Sequence, residues 1–371
     1  MATTTAVTTA AAPPSTPLTL SAATSTILHD AHATLGESPV HDARTGASYY
    51  VDIEGRAVIV LPRGFGAADG VGGRQAGGGG GGDAAAAAAA AAAPFSIPTP
   101  LPVGGVTPTS DPHTLLVSQP DAVHLLDLRS RTLGPPLAAI PPAHAVPGTR
   151  FNDGLASPQG TWVGGRLHKD WREGRRGRVY ALVWEGGGGG GGEGRKEGAA
   201  AAALLKPVLE EGEVGMSNGM AWGGQGTRFY LADSAAKCVL CFDACPATGI
   251  PVSGTGRVVV SALALGGAVP DGLCLDGDGR LWVALAETGA VGVYAPCAAT
   301  GGVEVGRLSG LPFTRLTSCA WGRGGEDGRL IVTSREEKGE GASPAAGALV
   351  AVSGSGGRGS AGGCGVVALP A

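Results

Sequence analysis

The stretch GTRFNDGLAS, residues 148–157, sets Arg150, Asn152 and Asp153 beside an aromatic ring and a glycine, in a chain of which only 16% of the residues are charged. Such a cluster is either a polar loop ahead of a strand or a place where chemistry is done, and its surroundings decide which. Three more polar residues stand in similar settings: Glu37 in LGESP, Asn218 in MSNG and Asp271 in VPDG. Together these three offer only oxygen donors, two of them anionic. Hard divalent cations such as Ca2+ or Mg2+ take that set and complete it with water. A single Asn-Gly or Asp-Gly is ordinary turn chemistry. What lifts these above that reading is that they recur in register.

The register comes from a repeated template: a small polar residue, then Pro, Gly or Cys, an apolar residue, a turn, and an aromatic or β-branched strand. It occurs in SPVHDARTGASYYVDIE from Ser38, DGLASPQGTWVGGR from Asp153, NGMAWGGQGTRFYLADS from Asn218, DGLCLDGDGRLWVALAE from Asp271 and SCAWGRGGEDGRLIVTSR from Ser318. The later starts lie 53 and 47 residues apart. Helical periodicity is almost absent, and a second strand pair follows most templates, as in GRVYALVW. The interval from Ser38 to Asp153 has room for two units, with HTLLVSQPDAVHLLDL (113–128) supplying strands for the second. Six units of four strands predict an all-β chain folded as a six-bladed β-propeller, in which each blade covers its neighbours' edges. The innermost strands line the central channel, so the template starts Ser38, Asp153, Asn218, Asp271 and Ser318 form a ring at one mouth. Glu37, Asn152 and Arg150 stand beside that ring.

The rest of the chain bounds the reading. The low-complexity Gly and Ala insertions, about 66–94 and 185–203, cannot build a core and are expected between strands. Residues 1–28 carry no charged side chain and are expected to be a disordered tail, with the propeller over 29–371. The alternative for this Ser/Thr/Ala-rich start is a plastid-type transit peptide. A net charge of −4 gives no argument for nucleic acid or a membrane as partner. Seven cysteines, an odd count in a long chain, favour a reducing compartment and a cytoplasmic location. Cys238, Cys241 and Cys245 read as strand residues rather than zinc ligands, since a spacing of three puts the first two on opposite strand faces. GMSNG, residues 215–219, fits the G-x-S-x-G elbow, but a Gly-broken hairpin follows where a helix is required, so Ser217 is not read as a nucleophile. The basic run RLHKDWREGRRGR, 166–178, reads as a solvated loop that could overhang the mouth. HDAH, 29–32, reads as exposed tail.

The motifs LGESPVHD, YYVDI, RFNDGLASPQGTWVGG, MSNGMAWGGQGTRFYLADS, VPDGLCLDGDGRLWVALAETGAV and LTSCAWG, in this order from about Leu35 to Ser334, resemble the regucalcin/gluconolactonase family, which includes senescence-marker protein and luciferin-regenerating enzyme. The resemblance implies a six-bladed propeller with one divalent cation in the channel, held by Glu37, Asn218 and Asp271. Ca2+ is the first expectation, with Zn2+, Mg2+ and Mn2+ as alternatives. It also implies that Arg150 and Asn152 hold a sugar lactone, with Asp170 as a further acidic contact. The family usually has Trp where His41 stands. The expected function is therefore a metal-dependent hydrolase opening a sugar lactone, with Asp271 also the general base that accepts a proton from the attacking water. The alternative is a calcium-binding regulatory protein without turnover, and a third reading is an interaction scaffold without metal. The expected partner is a small-molecule lactone, and the sequence is silent on oligomeric state.

Overall fold

The computed structural model describes residues 24–62, 93–174, 177–185, 202–322, 329–353 and 366–370. After a first strand, β1 (Thr24–His29), the chain lays down strands four at a time. The first blade is β2 (Gly36–Asp42), β3 (Ala47–Asp52), β4 (Ala57–Leu61) and β5 (Phe95–Pro98). The second is β6 (Gly105–Pro108), β7 (Thr114–Gln119), β8 (Ala122–Asp127) and β9 (Thr132–Ala139). The third is β10 (Thr149–Ala156), β11 (Trp162–His168), β12 (Val179–Glu185) and β13 (Ala202–Pro207). The fourth is β14 (Ser217–Gly223), β15 (Arg228–Asp233), β16 (Cys238–Asp243) and β17 (Arg257–Val260). The fifth is β18 (Val269–Leu275), β19 (Leu281–Ala286), β20 (Ala290–Ala295) and β21 (Val303–Leu308). The sixth is β22 (Leu316–Trp321), β23 (Leu330–Ser334) and β24 (Leu349–Ser353), completed from the other end of the chain by β1. The inner strands touch one another in the order β2, β6, β10, β14, β18, β22 and back to β2, so the molecule is a closed six-bladed β-propeller.

Closure corrects the expected boundary at residues 28/29. Thr24, Ser25, Thr26 and Ile27 pair with Ser353, Val352, Ala351 and Val350, and His29 pairs with Leu349. Thr24–Leu28 thus belong to the last blade rather than to a tail, and His29 Nδ1 lies 2.8 Å from the Tyr50 hydroxyl. The Gly and Ala insertions fall almost wholly outside the described residues. Their described edges are already ladder: Glu185 ends β12 and Ala202 opens β13, and the two pair.

Strand period explains the core. Each blade is buried on both faces, so its strands read as nearly continuous apolar runs. In β19, Leu281, Val283 and Leu285 pack toward the fourth blade, while Trp282 and Ala284 pack toward the sixth. Six such clusters among the described residues fill the six gaps between neighbouring blades. Apolar packing therefore surrounds the axis and leaves the axis itself for other use. The cysteines follow this pattern: burial pushes the Cys238 thiol up to about 12, which keeps it a thiol. No helix among the described residues is long and apolar enough to cross a membrane.

The inner strands approach closely, and glycine makes that possible. A Cβ on Gly219 would stand 2.2 Å from the Leu273 backbone nitrogen, and one on Gly272 2.0 Å from Ser318 Oγ. The Gly of Asn218-Gly219 and of Asp271-Gly272 therefore serves strand contact around the axis. We expect Gly219→Ala to cost about 1–3 kcal/mol, the usual range for overpacking a filled site. Urea unfolding measures this, and an unchanged midpoint would show that the inner strands have slack.

Candidate functional site

Five of the six inner strands depart from regular pairing where their polar residues stand. The ladder slips between Glu37 and Val40, between Phe151 and Asp153, between Ser217 and Met220, between Pro270 and Leu273, and between Leu316 and Ser318. A bulge takes a residue out of the ladder and re-aims its side chain. Glu37, Asn152, Asn218, Asp271 and Thr317 all lie in or at the edge of these slips. Ser38, in the first of them, has φ +49°, a left-handed value that a non-glycine residue adopts at a cost.

The sixth inner strand explains itself. β6 pairs regularly and is preceded by Gly104, where a Cβ would meet the Phe151 carbonyl oxygen at 2.4 Å. With no side chain there, Ser38 of the first blade reaches past the second and donates its hydroxyl to Asp153 Oδ1 of the third, at 2.8 Å.

The mouth that receives these residues is acidic. Glu37 and Asn218 are buried, while Asp153 and Asp271 keep partial exposure. Burial, then the Asp153 charge, pushes the Asp271 carboxyl up to about 8, against the Asn218 amide and the Arg150 and Arg335 guanidiniums, which draw it down. Burial and the charges of Asp271 and Asp153 raise Glu37 well above the usual carboxylate range, and burial raises Asp153. Burial lowers the Arg150 guanidinium, and Glu37, Glu54 and Asp271 act against that. Because their charges act on one another, Glu37, Arg150, Asp153 and Asp271 share one electrostatic neighbourhood.

Second-layer contacts fix the geometry. Asn218 Nδ2 donates to Ser234 Oγ at 3.2 Å, and Ser234 in turn donates to the Pro270 carbonyl at 2.6 Å, tying Asn218 to the backbone just before Asp271. Asn152 Nδ2 donates to the Ser217 carbonyl at 3.1 Å, and Arg150 donates to Asn152 Oδ1 at 2.9 Å and to the Phe151 carbonyl at 3.0 Å. Asn218 Oδ1 and Asp271 Oδ1 are buried without a hydrogen-bond partner among the described residues. A buried acceptor in that condition is costly unless something positive meets it. Among the described residues no three His, Cys, Asp or Glu side chains are grouped to hold a metal. Glu37, Asn218 and Asp271 present between them two carboxylates and one amide.

Other expected residues lie farther out. Asp170 opens the 3-10 turn Trp171–Glu173 and stands 3.8 Å from His168 Nδ1, with no hydrogen bond to Arg150 or Asn152 among the described residues. In the basic run, Arg166 is buried, pairs with Asp121 and donates to the Pro120 carbonyl, so it braces the third blade against the second. Ser217 opens an inner strand and is packed against Gly165, in no strand–turn–helix elbow.

Sequence reading missed Arg335, Glu54 and Ser234. Arg335 pulls on Asp271, Glu54 pulls on Arg150, and Arg335 and Glu54 approach to 3.9 Å. The signal was present. In an antiparallel hairpin the end of the second strand returns to the start of the first, and these three residues follow the second strands in YYVDIE, YLADS and IVTSR.

Regucalcin of Danio rerio is 29% identical over 202 residues, 53% of this chain and 58% of that protein. Pentonolactonase XacC of Haloferax volcanii is 31% identical over 193 residues, 52% of this chain and 56% of that protein. The chain thus spans little more than half the length of these relatives. The crystal structure of a calcium-binding protein, regucalcin, from Agrobacterium tumefaciens shares the fold at a TM-score of 0.69 and 20% identity, covering 94% of this chain and 98% of that one. Residues 35–336 match the SMP-30/Gluconolactonase/LRE-like region, and the chain belongs to that family.

Proposed function

We propose that the protein is a metal-dependent lactone hydrolase that opens a sugar lactone. The reading is supported by Asp271, whose charge acts on Glu37 of another blade and whose carboxyl hydrogen-bonds Asn218 of a third, and by Asn218 Oδ1 and Asp271 Oδ1, buried and unpartnered among the described residues. Two anionic oxygens and one neutral one suit a divalent cation, Ca2+ first among Ca2+, Mg2+, Mn2+ and Zn2+. Its charge would also relieve the repulsion that raises Glu37 and Asp271. A cation held by Glu37, Asn218 and Asp271 would supply Lewis-acid chemistry, polarising the lactone carbonyl and stabilising charge developing on its oxygen.

The chain's own residues supply the rest. Asp271 accepts a proton from the water as its oxygen bonds to the carbonyl carbon. The carbon–ring oxygen bond then breaks, and the ring oxygen takes that proton from Asp271 to give the open hydroxy acid. Arg150 spends one guanidinium nitrogen on Phe151 and Asn152 and keeps its remaining N–H groups for sugar oxygens. Asn152 has a second amide hydrogen left for the same purpose. Asp170, at the rim, is the outermost candidate contact. One relative, a pentonolactonase, has lactone chemistry in its name, which supports the lactone reading.

Three outcomes test this. Asp271→Ala should abolish opening of aldonolactones and weaken Ca2+ binding severely by calorimetry; near-normal turnover with an intact fold would remove Asp271 from the mechanism. Arg150→Ala should keep its Ca2+ affinity, because the three ligands come from other blades. It should lose about tenfold to a hundredfold in kcat/KM, the value of hydrogen bonds from a charged donor. Ca2+ binding without turnover on any aldonolactone would instead favour the regulatory reading.

The pH dependence of stability gives the third outcome. Without cation, Asp271, Glu37 and Asp153 hold protons more tightly folded than unfolded. Their contribution is fully present below the unfolded carboxylate range and is lost as pH rises through the folded values, about 8 for Asp271. The cation-free Tm should therefore fall between about pH 5 and about pH 8.5, and saturating Ca2+ should raise Tm more at the higher pH. Equal stabilisation at both values would remove these carboxyls from the cation site.

A further inference from the structure

Past the candidate centre, toward the C-terminal ends of the inner strands, the channel holds a cavity of about 660 Å³. Ser38 and Asp153 line its inner end, whereas Glu37, Asn218, Asp271, Arg150 and Asn152 do not line it. It is therefore a separate space behind the acidic ring. Its size is that of a small-molecule site. Apolar side chains, Leu155, Met220, Trp222, Leu275, Ala320 and Trp321, drawn from four blades, form a little over half of its wall, and polar groups form the rest.

The charged groups on these walls are already engaged. Asp153 accepts the Ser38 hydroxyl at 2.8 Å and the Gly154 N–H at 3.1 Å. At the outer rim Asp42 takes Arg44 through Nε at 2.9 Å and NH2 at 2.8 Å, and Arg44 also donates to the Thr109 and Ser110 carbonyls. His41 Nδ1 lies 2.8 Å from Ser48 Oγ, beside the Asp42 carboxylate. A charged ligand would lose its hydration here without gaining a counter-charge. One donor is different: Trp321 Nε1 is buried and has no partner among the described residues, while its ring is fixed edge-on to Trp282 at 5.0 Å. An indole N–H in that state favours an acceptor that arrives with the ligand.

We propose that this cavity is a second ligand site, taking a neutral molecule with an aromatic or alicyclic body and one hydrogen-bond-accepting oxygen for Trp321 Nε1. The site shares Ser38, Asp153 and Ser318 with the ring at the mouth, and its occupancy does not depend on lactone chemistry.

The probe is prodan, a neutral naphthalene carrying one ketone, titrated into the full chain. Saturable, one-to-one binding with blue-shifted emission and quenching of tryptophan fluorescence is expected. Neutral 2-acetonaphthone should displace it, whereas 2-naphthoate, of similar size but charged, should not. Ala320→Phe and Leu155→Phe fill the cavity from the sixth and third blades, and each should weaken binding at least tenfold. Trp321→Phe keeps the ring and loses the N–H, so it should weaken binding about two- to tenfold, the worth of one neutral hydrogen bond. Trp321→Phe and the two competitors decide the matter even if a filled variant fails to fold. No saturable binding up to about 100 μM would overturn the proposal. So would binding that both filled variants leave intact, or displacement by 2-naphthoate equal to that by 2-acetonaphthone.

Discussion

The β-bulge at the start of the inner strands is the feature on which the rest of the structure depends. An inner strand paired regularly would turn alternate side chains into the gaps between blades, where apolar packing fills the space. A slip in the ladder frees one residue from that alternation. It releases Glu37, Asn152, Asn218 and Asp271 toward the axis while Val40, Met220 and Leu273, a few residues on, return to the inter-blade cores. The glycines after Asn218 and Asp271 complete the device. They let neighbouring inner strands approach until a Cβ would have no room. A propeller could close without either feature, but it would close around an apolar axis.

Gathering acids at that axis is unfavourable on its own. Asp271, Glu37 and Asp153 are raised by burial, and charges among them add to the effect for Asp271 and Glu37. The stability that tolerates this comes from elsewhere, from six inter-blade clusters and from the pairing of β1 with β24. Thr317 contributes at the seam where the ring closes, since its hydroxyl donates to the Gly36 carbonyl of the first blade. The sixth blade, whose template opens on Ser318, thus uses its bulge for closure. Strain is concentrated at one mouth and offset around the whole ring, an arrangement expected where function rather than stability sets the local residue choice.

Sequence reading reached the parts of this that are local and repeated. The template marks the first hairpin of five blades, and the burial of strands such as LWVALA on both faces follows from it. The second blade escaped the template because Gly104 and Gly105 stand where a polar residue would mark it, and that same absence lets Ser38 meet Asp153. The strand Thr24–His29 escaped because TSTILH is short and its partner lies at the far end of the chain, so nothing nearby in sequence announces the pairing. Arg335 and Glu54 were legible in principle, as residues that follow second strands. They were missed because attention went to where templates begin. Asp170 was named from resemblance, and its placement on a 3-10 turn beside His168 gives it a weaker claim than Arg150.

The channel is chemically polarised because every inner strand runs the same way. Residues at the strand starts, among them Glu37, Asn218 and Asp271, gather at one mouth, while residues at the strand ends, such as Trp222, Leu275 and Trp321, gather around the cavity. A sequence that puts polar residues first and bulky apolar ones last in each inner strand therefore builds an acidic vestibule in series with an apolar chamber. The Ser38–Asp153 hydrogen bond lies between them, with Ser38 N also donating to Glu37 Oε2 at 3.2 Å. Ser38 thus holds one acid of the ring through its backbone and another through its side chain, and the left-handed φ of +49° is the local conformation in which both bonds are made. A strained serine at the junction of two chambers is more economically explained by that double duty than by the demands of the first blade alone, whose strands β2 and β3 resume regular pairing from Val40 onward.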